Sequence, residues 1–505
     1  MLQQLQSFFS KPQRPIAAAS TLWALEHALM PLGKNDRFTI GNAVENILIV
    51  GGIGSGKTSA SGRAFALAFL SAGFGALVLC TKPEEPSLWR NYCALAGRLA
   101  DLIEFRPDGK YRFDPLAFEL SQQGPGGGHT ENLVQLFMTL MDLGEQNGGG
   151  GGGKENEPYW RKAVLQLLRN LVDLIILATG GLAVSDMYRV AASVATSLDQ
   201  VKSTEWRGRS ACFKCLIEAE KRPKTASQQR DFELVADYFL CELPALSDKT
   251  RSVILSTFTS MIDVLQRGVL RDLFTQGSNI DPTFTERGKI IVVALPLKQY
   301  GQVGLYAAAL MKYSFQKSIE RRDTTANPRP VVLWQDEGQF FLLQNIDMLF
   351  TSTARSSRVC NVLLTQSISG VIAKLGGGPA GKAEADAYLS NYGTKVFHSN
   401  TDATTNEYAA TLIGRCKQFM INSSSNYQNP IQGFGSRETT GGSCGLSETV
   451  EFEVQPREFS KLRIGGIAND GIVDAIVFRN GARFNANRRN WMKVSFKQDL
   501  KGAIR

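Results

Sequence analysis

Gly51-Gly52-Ile53-Gly54-Ser55-Gly56-Lys57-Thr58 is the stretch on which the reading of this chain turns. The apolar run Ile47 to Val50 leads directly into it, and a helical pattern from Thr58 to Ser71, closed by Gly73, follows. A GxxxxGK[ST] motif between a strand and a helix is a phosphate-binding loop. Its glycines let backbone N–H groups wrap phosphates, and the helix that follows turns its positive end toward them. Gly51, Gly52, Ile53, Gly54, Ser55, Gly56, Lys57, Thr58 and Ser59 are therefore expected to bind the nucleotide. Lys57 would reach the β- and γ-phosphates of ATP and the Thr58 hydroxyl would ligate Mg2+.

Such a loop needs a second element to hold the metal shell and activate water. Val331-Val332-Leu333-Trp334-Gln335-Asp336-Glu337 supplies it, as an apolar strand ending in two carboxylates. Asp336 stands where a Walker B aspartate approaches Mg2+, and Glu337 is placed to accept a proton from attacking water. Further short apolar runs occur at Ala76 to Leu79, Ile290 to Leu295, Val362 to Leu364, Lys395 to Phe397 and Ile472 to Phe478. Helical stretches such as Leu305 to Arg321 alternate with them, which implies an α/β fold with a buried, mostly parallel sheet. From Glu131 to about Leu273 the pattern is helical throughout, with Trp160, Val164, Leu167, Leu171 and Ile175 on one stripe. This region reads as an all-α insertion, with the glycine run Gly124 to Gly128 ahead of it and Gly148 to Gly153 inside it.

Composition narrows the class. The 505 residues are 43% hydrophobic and 20% charged, with a mean hydropathy of -0.12, as in folded globular proteins. The apolar stretch Ile16 to Leu32 is broken by Glu26, His27 and Pro31, short of the roughly 20 residues of a membrane-spanning helix, so a cytoplasmic protein is expected. Eight cysteines without regular spacing suit a reducing compartment, and Cys212 and Cys215, the single CxxC, read as helix-face packing. The net charge of +9 is concentrated at the C-terminus, where Arg479 to Arg505 holds eight Lys or Arg against Asp499 alone. That segment is compatible with a phosphate backbone or an anionic membrane surface.

Beyond Glu337 the chain continues through Thr353-Ala354-Arg355-Ser356-Ser357-Arg358 to Thr365-Gln366 at a strand end. With Phe113-Asp114-Pro115-Leu116, Ser252 to Thr257, and Asn391-Tyr392-Gly393-Thr394-Lys395 in the same order, this resembles the VirD4/TraG/TraD coupling ATPases of conjugation and type IV secretion. The resemblance implies a RecA-like domain and makes Arg355 an arginine finger for a neighbour's nucleotide and Gln366 a γ-phosphate sensor. It also implies a homo-hexamer that recruits DNA with an attached relaxase and relaxosome proteins, through the all-α domain, and works beside the ATPases of a secretion channel. Two departures stand out. Cys80 occupies a position where the family usually has Asp, and residues 1–40 show no counterpart of the family's transmembrane hairpin, as expected of a truncated form, of a variant held at the inner membrane's periphery by a separate membrane-anchored partner, or of a motor that works without the membrane.

The expected organisation is an N-terminal segment 1–40, nucleotide-binding parts at 41–120 and 281–480 interrupted by an inserted all-α domain at 121–280, and a basic tail 481–505. Two other functions share these motifs: a coupling ATPase for protein effectors, and a HerA/FtsK-like DNA pump outside any secretion system.

Overall fold

The computed structural model describes residues 22–147, 157–344, 346–427 and 439–499. The Gly148 to Gly153 run, the start of Ile16 to Leu32 and the last six residues lie outside them. Thirteen strands are present among the described residues. A short hairpin, β1 (Ala28–Pro31) and β2 (Arg37–Thr39), precedes the P-loop strand β3 (Ile47–Val50). Then come β4 (Gly75–Leu79), β5 (Leu102–Phe105), β6 (Ile290–Val293), β7 (Val331–Gln335), β8 (Val359–Thr365) and β9 (Thr394–Phe397). A two-stranded ribbon, β10 (Arg415–Tyr427) with β11 (Thr439–Phe452), stands apart from the sheet, and β12 (Ile472–Arg479) and β13 (Trp491–Lys497) finish the chain.

The main sheet has nine strands in the order β13-β12-β9-β3-β8-β7-β4-β6-β5. From β9 to β5 all pairings are parallel, while β12 runs antiparallel to both β9 and β13. The mostly parallel sheet expected from the apolar runs is therefore what forms. In β3, β4, β6 and β7 every residue is buried, because helices cover both faces. Alternation sorts their side chains: Ile47, Ile49, Ala76, Val78, Val332 and Trp334 face one layer, with Phe65, Phe69, Trp89 and Tyr92. On the opposite face, Leu48, Val50 and Leu363 pack on helices 368–374, 378–390 and 403–413, and Leu77, Leu79, Val293 and Leu333 pack under the helical region.

Between β5 and β6 the chain is helical, as read from the sequence, and its core is continuous with the sheet. Leu167, Leu171, Ile175 and Cys212 belong to the same buried cluster as Leu77 and Leu333. Cys212, wholly buried on helix Ala211–Lys221, is thus a packing residue.

Six strands escaped the sequence reading: β1, β2, β10 and β11 outside the main sheet, and β5 and β13 within it. The edge strand β5 has half-buried Leu102 and Glu104 between buried Ile103 and Phe105, and Glu104 pairs with Arg90 at 2.6 Å, so its short polar alternation hid it. The segment 481–505, read as a basic tail, contributes β13 to the sheet. Met492, Val494 and Phe496 are buried while Lys493, Ser495 and Lys497 point outward, the period of two of a strand with one wet face. Charge counting masked that alternation. Among the described residues no single helix is long and apolar enough to cross a membrane.

Candidate nucleotide site

Parallel strands deliver their carboxyl ends to one edge of the sheet, and the loops that follow build the site there. Because β8 lies between β3 and β7, the ends of three neighbouring strands carry Lys57, Gln366 and the Asp336-Glu337 pair respectively. The P-loop takes its shape from Gly54 and Gly56, at φ of 71° and 86°, where L side chains are strained. Gly51 has a different reason: a Cβ there would stand 2.4 Å from Ser55 Oγ and 2.8 Å from His398 Cβ.

The carboxylates of β7 meet the P-loop directly. Thr58 Oγ1 donates to Asp336 Oδ2 at 3.1 Å, which brings together the two oxygens expected around Mg2+. Lys57 Nζ lies 3.0 Å from Glu337 Oε1, with both side chains under a tenth exposed. Glu337 also accepts hydrogen bonds from Gln366 Nε2 at 3.2 Å and, on its other oxygen, from Gln339 Nε2 at 3.2 Å. Burial pushes this carboxyl up, but the Lys57 charge and the three hydrogen bonds outweigh it and leave it below its ordinary range.

Glu337 sits in the left-handed region at φ 49° and ψ 45°, a conformation that costs a non-glycine residue about 1–3 kcal/mol. Its neighbour Gly338 has no room for a side chain, since a Cβ would fall 2.1 Å from Leu363 Cδ1. The turn after β7 is pressed against β8, and this aims the carboxylate back at Lys57 and Gln366.

Lys82, at the end of β4, enters the same cluster. Its ammonium is 3.5 Å from Asp336 Oδ2, 3.7 Å from Glu337 Oε1 and 3.9 Å from Glu85 Oε1. Glu85 is pushed up to about 8 by burial and by the Asp336 charge. Cys80, at the position where an Asp was expected from the resemblance, is buried in the sheet core, where desolvation drives its thiol well up.

Behind the P-loop, His398 Nε2 is 2.6 Å from Ser61 Oγ, and Nδ1 is 3.2 Å from the Asp474 carbonyl on β12. A carbonyl only accepts, so Nδ1 carries the proton and Nε2 accepts from Ser61. Burial pulls the imidazole down to about 4. Asn400 Nδ2 donates to the Gln366 carbonyl at 2.8 Å and fixes the end of β8. Lys82 belongs to the stretch after the second strand that carries the family resemblance, whereas His398, Asn400 and Gln339 carry no motif, and their roles come from the strand order alone.

A cavity of about 510 Å³ opens over Gly52 to Ser59 and extends past Lys82, Glu337 and Gln366. It suits a nucleotide triphosphate with Mg2+: Ser55 Oγ is buried in the P-loop with no partner among the described residues, and cationic and carboxylate groups converge on the loop. Arg355 is elsewhere. It follows helix Ile346–Thr353, is largely exposed, and pairs with Glu45 Oε1 at 3.3 Å. Glu45 precedes β3 and Lys57 follows it, so Arg355 and the P-loop stand at opposite ends of that strand.

Residues 330–445 match a family model described as the TraM recognition site of TraD and TraG. Solved structures of the bacterial conjugative coupling protein TrwB align over nearly the whole chain. The unbound monoclinic form has a TM-score of 0.57 at 14% identity, covering 92% of this chain and 87% of that one. The fold is that of the coupling proteins. Two nucleotide complexes of TrwB, one with ADP and Mg2+ at 15% identity and one with the GTP analogue GDPNP at 14%, each give a TM-score of 0.58 and cover 92% of this chain and 88% of theirs. A comparison with curated proteins gives no match. The resemblance read from the P-loop, Arg355 and Gln366 is borne out at the level of the coupling-protein fold.

Proposed function

We propose that this chain is an ATP-driven coupling motor that recruits DNA with an attached relaxase and moves it toward a conjugation or type IV secretion channel. The observation that carries this reading is the convergence of Lys57, Thr58, Asp336, Glu337 and Gln366 at the ends of three adjacent parallel strands in a coupling-protein fold.

The residues divide the work. P-loop N–H groups and Lys57 hold the phosphates, and Thr58 and Asp336 would hold Mg2+, which supplies charge neutralisation at the β- and γ-phosphate oxygens. Lys57, on exchanging Glu337 for a phosphate, leaves that carboxylate held by Gln366 and Gln339 and able to accept a proton from water. Gln366 thereby reports to β8 whether Lys57 is on the carboxylate or on the nucleotide.

Arg355 is exposed and lies at the opposite end of β3 from its own P-loop, which supports a role toward a neighbouring subunit in a homo-hexamer. The net charge of +9 favours a nucleic-acid cargo. The match over residues 330–445 supports recognition of a relaxosome protein. On this reading the motor works at the periphery of the inner membrane, beside the ATPases of a secretion channel and held there by a separate membrane-anchored partner.

The test is the ATPase rate with and without single- and double-stranded DNA across a salt series. Stimulation that fades as salt rises is the result expected of a DNA motor. Indifference to DNA, with stimulation by a relaxosome protein, would make protein the cargo.

A further inference from the structure

The turn between β12 and β13, at 480–490, lies at the amino ends of the parallel strands, since Arg479 pairs with Thr394 at the start of β9. It therefore faces away from the nucleotide site. The turn of the first hairpin packs on it: Asp36 accepts from the N–H groups of Asn485 at 2.7 Å and Ala486 at 3.0 Å, and Asn485 Nδ2 donates to the Asn35 carbonyl at 3.1 Å. Residues 32–37 and 480–490 together carry the cations Lys34, Arg37, Arg483, Arg488 and Arg489, all exposed. Their single acid, Asp36, is buried and taken up by those N–H groups. Arg489 Nε, 2.9 Å from Glu453 Oε1, ties this basic patch to the root of the ribbon β10–β11.

We propose that this end of the molecule docks on a bilayer that contains anionic lipid, with the basic patch on the headgroups and one face of the ribbon at the acyl boundary. The proposal goes beyond the motor reading, because docking requires neither nucleotide nor cargo.

In the antiparallel register Phe419 stands opposite Glu448, Ile421 opposite Leu446 and Lys417 opposite Val450, so these six side chains share one face. Phe419 is 63% exposed, Ile421 70%, Leu446 67% and Val450 57%. The two charges among them, Lys417 and Glu448, cancel as an ion pair of 2.7 Å. Gln418, Ser447, Thr449 and Glu451 fall on the other face and are half-buried, so the ribbon turns its apolar side outward. Neighbouring apolar side chains bared in this way mark a docking surface. A phosphate backbone has no use for them, whereas the acyl boundary of a bilayer accepts them without a shaped partner. The patch supplies the second signal that stable peripheral binding needs, since each Lys or Arg held near an anionic leaflet adds roughly fivefold in affinity. Docked by this end, the protein would hold its nucleotide site toward the solution.

Flotation of the whole protein with lipid vesicles tests this. Binding is expected to vesicles of phosphatidylcholine mixed equally with phosphatidylglycerol, fading as salt rises, and not to phosphatidylcholine alone. Arg483→Ser with Arg488→Ser should weaken it about 30-fold. Phe419→Ser with Leu446→Ser should weaken it about tenfold or more and keep the salt dependence. All four side chains are exposed, so melting temperatures should not move in either variant. No binding to anionic vesicles at low salt, or binding that neither variant alters, would overturn the proposal. Duplex DNA bound in place of vesicles, and released by the arginine variant, would also overturn it and make the patch a nucleic-acid contact. Each of these failures would leave the motor reading and a separate anchored partner standing, since neither uses this surface.

Discussion

Lys57 and Glu337, 280 residues apart in the chain, form a buried ion pair of 3.0 Å. On the proposed function this pair joins the phosphate-binding cation to the proton acceptor, so that nucleotide binding exchanges one anion for another at the same ammonium, and each partner's loss has its own signature.

Lys57→Ala removes the point charge for the phosphates and is expected to abolish both ATP affinity and turnover. Glu337→Gln keeps an oxygen for Lys57 and Gln366, so Mg-ATP should still bind while turnover falls by about 10²–10⁴, the usual worth of a general base. Equilibrium binding and steady-state hydrolysis on the two variants separate the roles. Loss of binding in folded Glu337→Gln would make Glu337 a ligand.

Arg355 pairs with Glu45 at the far end of β3 from the P-loop of its own subunit. Arg355→Ala should keep ATP affinity and lower hydrolysis by roughly 10³ or more if it serves as a finger. Mixing Arg355→Ala with Lys57→Ala subunits should restore part of the rate, because some junctions then join an intact P-loop to an intact arginine. Co-assembled mixtures that stay inactive would rule out action between subunits.

His398 gives stability a defined pH dependence. Its folded value of about 4 lies below the ordinary 6.5, so the unfolded chain binds the proton first. The stabilisation is complete above pH 6.5 and is lost as pH falls from there to 4, by roughly 3 kcal/mol in all. Thermal melts of the protein and of His398→Gln between pH 7.5 and 4.5 should show a decline that is shallower in the variant. Parallel curves would mean that other groups carry the acid sensitivity.

Lys312 anchors the segment after Glu337. Its buried ammonium lies 2.6 Å from Asp347 Oδ2 and 2.9 Å from the Phe341 carbonyl, while Gln316 Nε2 and the Leu343 N–H also donate to Asp347. Lys312→Met strands that carboxylate and should cost about 3–5 kcal/mol by urea unfolding. Lys312→Met with Asp347→Leu should recover part of the loss. A double variant no better than the single one would show that the segment needs the charges themselves.

The sheet and the P-loop were legible because each rests on a local signal: an apolar run fixes β3 and β7, and a motif follows each. Fully buried strands announce themselves by composition, while β5 and β13 carry polar residues on alternate positions and look like loop and tail. Gln339, His398 and Gln498 were not legible, since what brings them to the site is strand order. Gln498 meets Ser59 across 439 residues of sequence, and no pattern of spacing encodes such a meeting. Arg355 was readable as a residue that leaves its own pocket, because the helix between Glu337 and β8 must carry the chain from one end of the strands to the other.

The position of β3 between β8 and β9 also sets an order of assembly during synthesis. The P-loop strand leaves the ribosome early, but its two sheet neighbours begin at Val359 and Thr394. At about 5–20 residues per second the strand waits roughly 15–60 s, unpaired on both edges and apolar at every position. Gln498, which donates to Ser59 Oγ just after the P-loop, arrives later still. A nascent chain therefore has no finished phosphate site until nearly all of it has been made, and truncated products are exposed-edge species suited to capture by chaperones rather than idle ATPases.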